Sequence, residues 1–279
     1  MTIDLSYVLP LRIAGDEDID ELTTYLEWLA AEVEVIVVDG SEPGDFASHA
    51  TRWGSFLTHL PPEGPGTKNG KVGGVITGVR SATHEKVIVA DDDVRYDRQS
   101  LARMKAALDD FDLIRPQNYF DPLPWHALWD TGRTLLNRAW GADYPGTLGV
   151  RRSTFLRAGG YDGDALFENL ELIRTMEVVG ASAFAPLDLY VSRRPPRVSR
   201  FLAQRPRQAY DDLAQPVRLL SFLSVVPLGL ALRARKRASA LLVAFVAVIG
   251  VAEVGRRRQG GTHVFPAGAS LLAPLWVAE

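Results

Sequence analysis

No cysteine occurs in this chain of 279 residues. Its absence excludes a disulfide framework and a thiolate metal site, and it fits a reducing compartment. Histidine is scarce too: the five copies (His49, His59, His84, His126, His263) are scattered, with no pair at metal-ligand spacing, so zinc is not expected. Neither sign of charge dominates. The net value of −3 says little about partners, and no nucleic-acid partner is expected. The amino terminus, Met1-Thr2-Ile3-Asp4, has no basic region running into an apolar one, so a secretory signal is not expected. No internal repeat is visible. A chain of this length can bury a full core in one or two domains.

What the chain does contain is unevenly spread. Up to about Tyr190, strand-like and helix-like segments of ordinary polarity alternate, the pattern of an α/β fold. From Arg193 onward, arginine clusters separate long apolar runs.

The stretch Glu85-Lys86-Val87-Ile88-Val89-Ala90-Asp91-Asp92-Asp93-Val94 organises the first part. Its β-branched run reads as a buried strand whose carboxyl end opens into three carboxylates, where an open α/β sheet places its ligands. On an extended segment alternate residues point the same way, so Asp91 and Asp93 can converge on one divalent cation while Asp92 faces elsewhere. The competing reading is an acidic N-cap before a helix such as Gln99 to Leu108.

Upstream, Leu5 to Leu11 reads as a strand ending at Pro10 and Arg12. The amphipathic stretch Ile19 to Glu32 follows, and a second strand, Val33 to Val38, stops at Asp39-Gly40-Ser41. This is a βαβ unit. Pro10 and Arg12 at one strand end and Asp39 at the next are candidates for substrate contact. Asp39 can accept hydrogen bonds from a base or ribose, or it can be a plain turn aspartate. Phe56 to Leu60 reads as a third strand, leading into the loop Pro61 to Gly66. Thr67-Lys68-Asn69-Gly70-Lys71 then opens a helix over Val72 to Ala82. Gly70-Lys71 invites a phosphate-loop reading, but that motif needs glycine at 65 and Ser or Thr at 72, where Pro65 and Val72 stand. Lys71 at a helix N-terminus can still meet a phosphate or carboxylate; otherwise it is a solvated lysine.

The order Asp39, Asn69-x-Lys71, then Asp91-x-Asp93 after a strand, with 91 − 71 = 20 positions between, resembles the nucleotide-sugar half of inverting family 2 glycosyltransferases. The ceramide glucosyltransferase-like branch is the most similar. The resemblance implies a GT-A fold, a mixed sheet flanked by helices, in which a nucleotide diphosphate sugar, UDP-linked by first expectation, lies over the sheet. It implies that Asp91 and Asp93 hold Mg2+ or Mn2+ against the diphosphate, with Asn69, Lys71 and Asp92 beside the substrate. Two phosphates call for a hard cation with oxygen ligands, which agrees.

Farther on, helix Arg98 to Leu108 and a strand around Asp112 to Arg115 precede an aromatic stretch with Tyr119, Phe120, Trp125, Trp129 and Trp140. These rings suit sugar or a lipid-proximal surface, but packing in a core helix is the reading favoured. Tyr144-Pro145-Gly146-Thr147-Leu148-Gly149-Val150-Arg151-Arg152, with Ala158-Gly159-Gly160-Tyr161-Asp162 behind it, resembles the family's acceptor-side segment. Relatives then supply a Glu-Asp pair whose Asp is the base. Here the chain reads Phe167-Glu168-Asn169-Leu170-Glu171, and an amide cannot serve. Glu168 is the favoured base and Glu171 the second candidate; three residues apart on one helix face, they can share the site, or both can be ordinary first-turn glutamates.

Gln204-x-x-Arg207 resembles the family's Gln-x-x-Arg-Trp motif with Gln208 in place of tryptophan, which implies that Arg207 neutralises the diphosphate. A basic membrane-surface patch is the alternative. Three apolar segments close the chain (Val217 to Leu232, Ala238 to Val254, His263 to Ala278), each short for a bilayer crossing, so spanning, re-entrant and interfacial arrangements all stay open. The breaks at 233–237 and Arg256-Arg257-Arg258 conflict with the positive-inside tendency if both flanking segments cross.

The expectation is therefore a GT-A domain over 1–192, a basic interfacial segment over 193–216 and membrane-associated helices over 217–279. The expected activity is inverting, metal-dependent sugar transfer to a hydroxyl of a lipid or glycan acceptor at the cytoplasmic membrane face. A catalytically silent nucleotide-sugar-binding membrane protein is the alternative, and the missing glycine-rich loop near the N-terminus argues against a nucleotidyltransferase.

Overall fold

The computed structural model describes residues 3–13, 19–63, 69–165, 167–211, 213, 216–234 and 238–279. In chain order the elements begin with β1 (Ser6–Leu11), α1 (Ile19–Ala30), β2 (Glu34–Asp39), α2 (Pro43–Trp53), β3 (Thr58–Leu60), α3 (Gly70–Ser81), β4 (Lys86–Ala90) and β5 (Val94–Arg95). Next come α4 (Arg98–Asp110), β6 (Leu113–Ile114), β7 (Gln117–Phe120), α5 (Trp125–Trp140), β8 (Thr147–Arg151), α6 (Arg152–Arg157), α7 (Glu168–Val178), β9 (Ala183–Phe184) and β10 (Tyr190–Arg193). The chain closes with α8 (Val198–Asp211), α9 (Pro216–Ala234), α10 (Ala238–Arg257), a 3-10 segment (Arg258–His263) and α11 (Ala267–Ala278).

Two compact units emerge, one from residues 1–116 and 144–191, the other from 117–143 and 192–279. Residues 117–143, expected within the first domain, thus group with the C-terminal helices.

The first unit is a seven-stranded mixed sheet in the order β3-β2-β1-β4-β8-β6-β9. The strands β3, β2, β1 and β4 run parallel, and β8 is antiparallel to both β4 and β6. Period-two alternation assigns the two faces. Tyr7, Leu9, Val35, Val37, Ile88 and Ala90 pack on one side with residues of α1 and α4, such as Leu26 and Met104. Their neighbours Val8, Ile36, Val38, Val87 and Val89 pack on the other with Val75, Phe155 and Ile173 from α3, α6 and α7. Strands buried on both faces are near-continuous apolar runs, as the sequence showed.

Two glycines set how closely α3 lies on the central strand. A Cβ at Gly74 would come 2.9 Å from the Cβ of Pro10, and one at Gly78 would overlap the Val8 side chain. Helix α3 thus presents its N-terminus, with Asn69 and Lys71, directly over the ends of β1 and β4.

The second unit packs α5 against α10 and α11. Gly255 of α10 meets the Leu135 carbonyl so closely that a side chain there has no room. The fully buried Arg138 ties this contact together: it donates to Gln117 Oε1 (2.8 Å), the Gly255 carbonyl (3.3 Å) and the Arg258 carbonyl (2.9 Å), and it lies over the Phe265 ring. The core reading of the tryptophans fails at both ends of α5, where Trp125 is 57 % and Trp140 84 % exposed. They fall at the first and last positions of the helix. Trp129 is partly buried against Phe201. Of the three apolar segments, one helix among the described residues, Ser239–His263, is long and apolar enough to cross a membrane. The basic residues at 235–237 lie outside the described residues.

Replacing Gly78 by alanine should lower stability, because an overlap with the buried Val8 costs about 1–3 kcal/mol and exceeds the roughly 1 kcal/mol that alanine gains in a helix. Gly44→Ala, in helix α2 where a Cβ meets open space, is the matched control and should leave the urea midpoint unchanged or raise it. An unchanged midpoint for Gly78→Ala would refute the close-packing account.

Candidate active site

Parallel pairing puts the carboxyl ends of β2, β1 and β4 on one edge, with Leu11 opposite Asp39. With β1 between them, Asp39 and Asp91 rise from that edge about 10 Å apart. Contrary to the expectation from the sequence, the acidic triplet is not extended. The Val94 amide donates to the Asp91 carbonyl at 3.1 Å and closes a turn, so strand alternation does not set where Asp91 and Asp93 point. The Asp91 amide donates to the Gly146 carbonyl at 2.9 Å, which fixes the turn against the start of β8. Asp92 and Asp93 are half-buried within it, and the guanidinium of Arg95 donates to the Asp92 carbonyl at 2.6 Å.

Lys71 gathers the chemistry. Its Nζ lies 2.5 Å from Asp91 Oδ1 and 3.0 Å from Glu168 Oε1, and it donates to Asn169 Oδ1 at 3.3 Å. Four side chains from α3, the end of β4 and the start of α7, each singled out in the sequence, meet there. Burial alone would lower the lysine pKa, but Asp91 and Glu168 outweigh it and hold the ammonium above the usual lysine range. Asn69 is the N-cap of α3: its side chain accepts from the Lys71 amide at 3.1 Å, and its own amide donates to the Gly163 carbonyl at 3.0 Å. Asn169 uses both ends of its amide, accepting from Lys71 and donating to the Pro145 carbonyl at 3.1 Å. An ionised aspartate could not make the second bond. Tyr161 is buried in the same neighbourhood, and burial, with Glu168 and Asp91 added against Lys71, pushes its phenol well above the ordinary value. Glu171 is not brought to Lys71; it accepts from Thr175 Oγ1 along its own helix at 3.4 Å.

A second cluster surrounds Asp39, whose carboxylate is out of solvent. Its Oδ2 faces His49 Nδ1 at 2.7 Å and His59 Nε2 at 3.1 Å, and its Oδ1 accepts from the Ser41 amide at 2.9 Å. Burial would raise this carboxyl, but the hydrogen bonds from His59, Ser41 and His49 hold it well below the carboxylate range. Aromatic rings fix both imidazoles: His49 stacks on Trp53 at 4.8 Å and His59 on Phe46 at 4.4 Å. The sequence reading missed these partners, although Phe46, His49 and Trp53 recur at helical spacing behind Pro43, a residue favoured in a first turn.

Pro10 is buried beneath Gly74, and Arg12 is largely solvent-exposed with an ion pair to Glu42 at 3.6 Å. Gln204 is half-buried on α8 in the second unit, and the Arg207 side chain lies outside the described residues. The arginine the structure does build there is Arg205, held by Asp130 at 3.1 Å and by Glu279 and packed over Trp129 and Phe201.

The oxygen donors around Lys71 suit a hard cation such as Mg2+ or Mn2+, since a cation already sits among them. Among the described residues no group of three or more His, Asp or Glu side chains is placed to hold a metal alone.

No family model matches the chain, and no curated protein matches its sequence. Among solved structures it is similar to the mannosyltransferase PcManGT from Pyrobaculum calidifontis, determined in complex with GDP-Man and Mn2+. The two are 20 % identical with a TM-score of 0.60 over 100 % of this chain and 89 % of that one. It is also similar to residues 1–349 of TarS from S. aureus, 14 % identical with a TM-score of 0.50 over 70 % of this chain and 60 % of that one. At such identities the likeness establishes architecture: the mixed α/β sheet flanked by helices is the GT-A fold.

Asp39→Asn should lower the melting temperature at pH 7, because it removes a carboxylate that two imidazoles and an amide surround. A depressed folded-state pKa contributes stability above the unfolded value of about 4 and loses it as pH falls further. The gap between wild type and variant in a pH series of melting curves should therefore narrow below about pH 4; a constant gap would contradict the assignment.

Proposed function

We propose that the protein is an inverting, metal-dependent glycosyltransferase that moves a sugar from a nucleotide diphosphate donor to a hydroxyl acceptor. The observation that carries the reading is the meeting of Lys71, Asp91 and Glu168 at the carboxyl edge of a GT-A sheet. Asp91 and Asp93 would hold Mg2+ or Mn2+, which when bound offsets the charge gathering on the departing diphosphate. Lys71 adds a second positive charge to that side of the reaction. Glu168 takes the acceptor proton as the new glycosidic bond forms and the sugar–phosphate bond breaks. Asn169 holds the start of α7 against Pro145, so that Glu168 carries the proton transfer and its neighbour the positioning. Asp39, His49 and His59 form a rigid floor at the nucleoside end. Arg207 keeps its assignment to the leaving diphosphate on the sequence pattern alone.

The neighbour PcManGT was determined with GDP-Man, and the sequence reading favours a UDP-sugar, so the panel must contain both. The acceptor is proposed to be a lipid, or a glycan at the lipid surface, with the catalytic unit on the cytoplasmic face. Support comes from the second unit. Helix α10 meets the length and apolarity of a crossing, and Leu220, Leu223, Leu242 and Val243 on α9 and α10 are each more than 60 % exposed. Asn169, standing where relatives carry the base, supports a second reading, a silent nucleotide-sugar-binding membrane protein.

Turnover separates the two. With Mn2+ and a membrane extract, release of nucleoside diphosphate from the matching donor should fall at least about 100-fold in Glu168→Gln, the scale expected for a general base. Donor affinity, read by thermal shift, should stay close to wild type. Equal turnover by the variant would remove Glu168 from the role, and no turnover by the wild type with any donor would favour the silent reading.

A further inference from the structure

The site holds a cation of its own. Lys71 Nζ sits between Asp91 Oδ1 at 2.5 Å and Glu168 Oε1 at 3.0 Å, with Asn169 Oδ1 at 3.3 Å. The three charged side chains are only 21 %, 22 % and 12 % exposed, so water screens them poorly. Two carboxylates close together and partly out of water repel each other unless a positive charge stands between them. The ammonium is also held from behind. Asn69 caps the Lys71 amide and is tied to Gly163, so the lysine stem starts from a fixed point rather than a loose loop. Asp91 and Glu168 are likewise fixed, one by the turn bonded to Gly146, the other at the first residue of α7.

Resting on the glycosyltransferase reading, we propose that Lys71 is a resident counter-ion that fills the place between Asp91 and Glu168 until a donor arrives. It thereby keeps divalent metal from binding tightly on its own and makes metal entry depend on the nucleoside diphosphate. When the diphosphate binds, it offers the ammonium a stronger anionic partner; Lys71 turns to it, Asp91 is freed for the ion, and Glu168 is freed to accept a proton. The same lysine is thus a positioning residue for the two carboxylates before binding and a ligand for the diphosphate afterwards. Glu168 stays ion-paired to Lys71 in the absence of donor, so the exchange also couples release of this carboxylate to donor occupancy.

The exchange predicts a metal affinity that the lysine weakens. Mn2+ binding without nucleotide, measured by electron paramagnetic resonance of the free ion, should be at least about tenfold tighter in Lys71→Met than in wild type, within the range of ordinary site-to-site coupling. Lys71→Arg keeps the charge and should stay near wild type. Melting curves supply a second readout. Chelation should leave the wild-type midpoint unchanged but lower that of Lys71→Met, and Mn2+ should restore it. Equal or weaker Mn2+ binding by Lys71→Met overturns the proposal, as does a variant that fails to fold both with and without Mn2+, since the ion then cannot take the ammonium's place. A variant that folds only with Mn2+ supports it. The underlying enzymatic reading is tested separately in the wild type: no binding of Mn2+ together with GDP or UDP would reject that reading. Binding of the pair without any gain in Lys71→Met would reject the counter-ion role alone.

Discussion

An ammonium held by two carboxylates and largely withdrawn from water fixes the arrangement on which the candidate site depends. Lys71 joins three segments far apart in sequence, because its Nζ touches Asp91 after β4 and Glu168 at the head of α7. None of these charges is cheap to bury alone, and each lowers the cost of the others. The turn after β4, the entry to α7 and the first turn of α3 are therefore held in one constellation before any ligand is present, which is what preorganised electrostatic catalysis requires.

The packing beneath explains how α3 delivers the lysine there. Gly74 and Gly78 allow the helix to lie against Pro10 and Val8 with no side chain between, so the helix axis is set by backbone contact. Across the parallel strands, Asp39 forms a second anchor, locked by His49 and His59, which are in turn stacked on Trp53 and Phe46. The second unit follows a different logic. The close approach of Gly255 to α5 and the buried Arg138 organise its interior, while its outer helices expose leucine and valine. An exposed apolar surface of this kind marks a contact with a membrane or with another protein.

Much of this was legible in the chain itself. The β-branched runs at 34–39 and 86–90 are strands buried on both faces, and motif order alone points to Lys71, Asp91 and Glu168. Other features were hidden for physical reasons. The turn at Asp91 is made by backbone bonds to Val94 and Gly146 that side-chain periodicity does not encode. The partners of Asp39 come from α2 and β3, and only the β2–β3 pairing brings His59 beside it. Trp125 and Trp140 look like core residues by composition, yet they stand at the two ends of α5 and face solvent. Glu171 shares a helix with Glu168, but it lies nearly one turn farther along α7 and accepts from Thr175 instead.

The most direct test of the central claim is a crystal structure of the protein with a nucleoside diphosphate sugar and Mn2+, with anomalous scattering collected at the manganese edge. The account predicts an anomalous peak coordinated by Asp91, with Lys71 Nζ moved from Asp91 onto a phosphate oxygen. A peak away from the acidic triplet, or a donor bound while the Lys71–Asp91 contact stays intact, would contradict it.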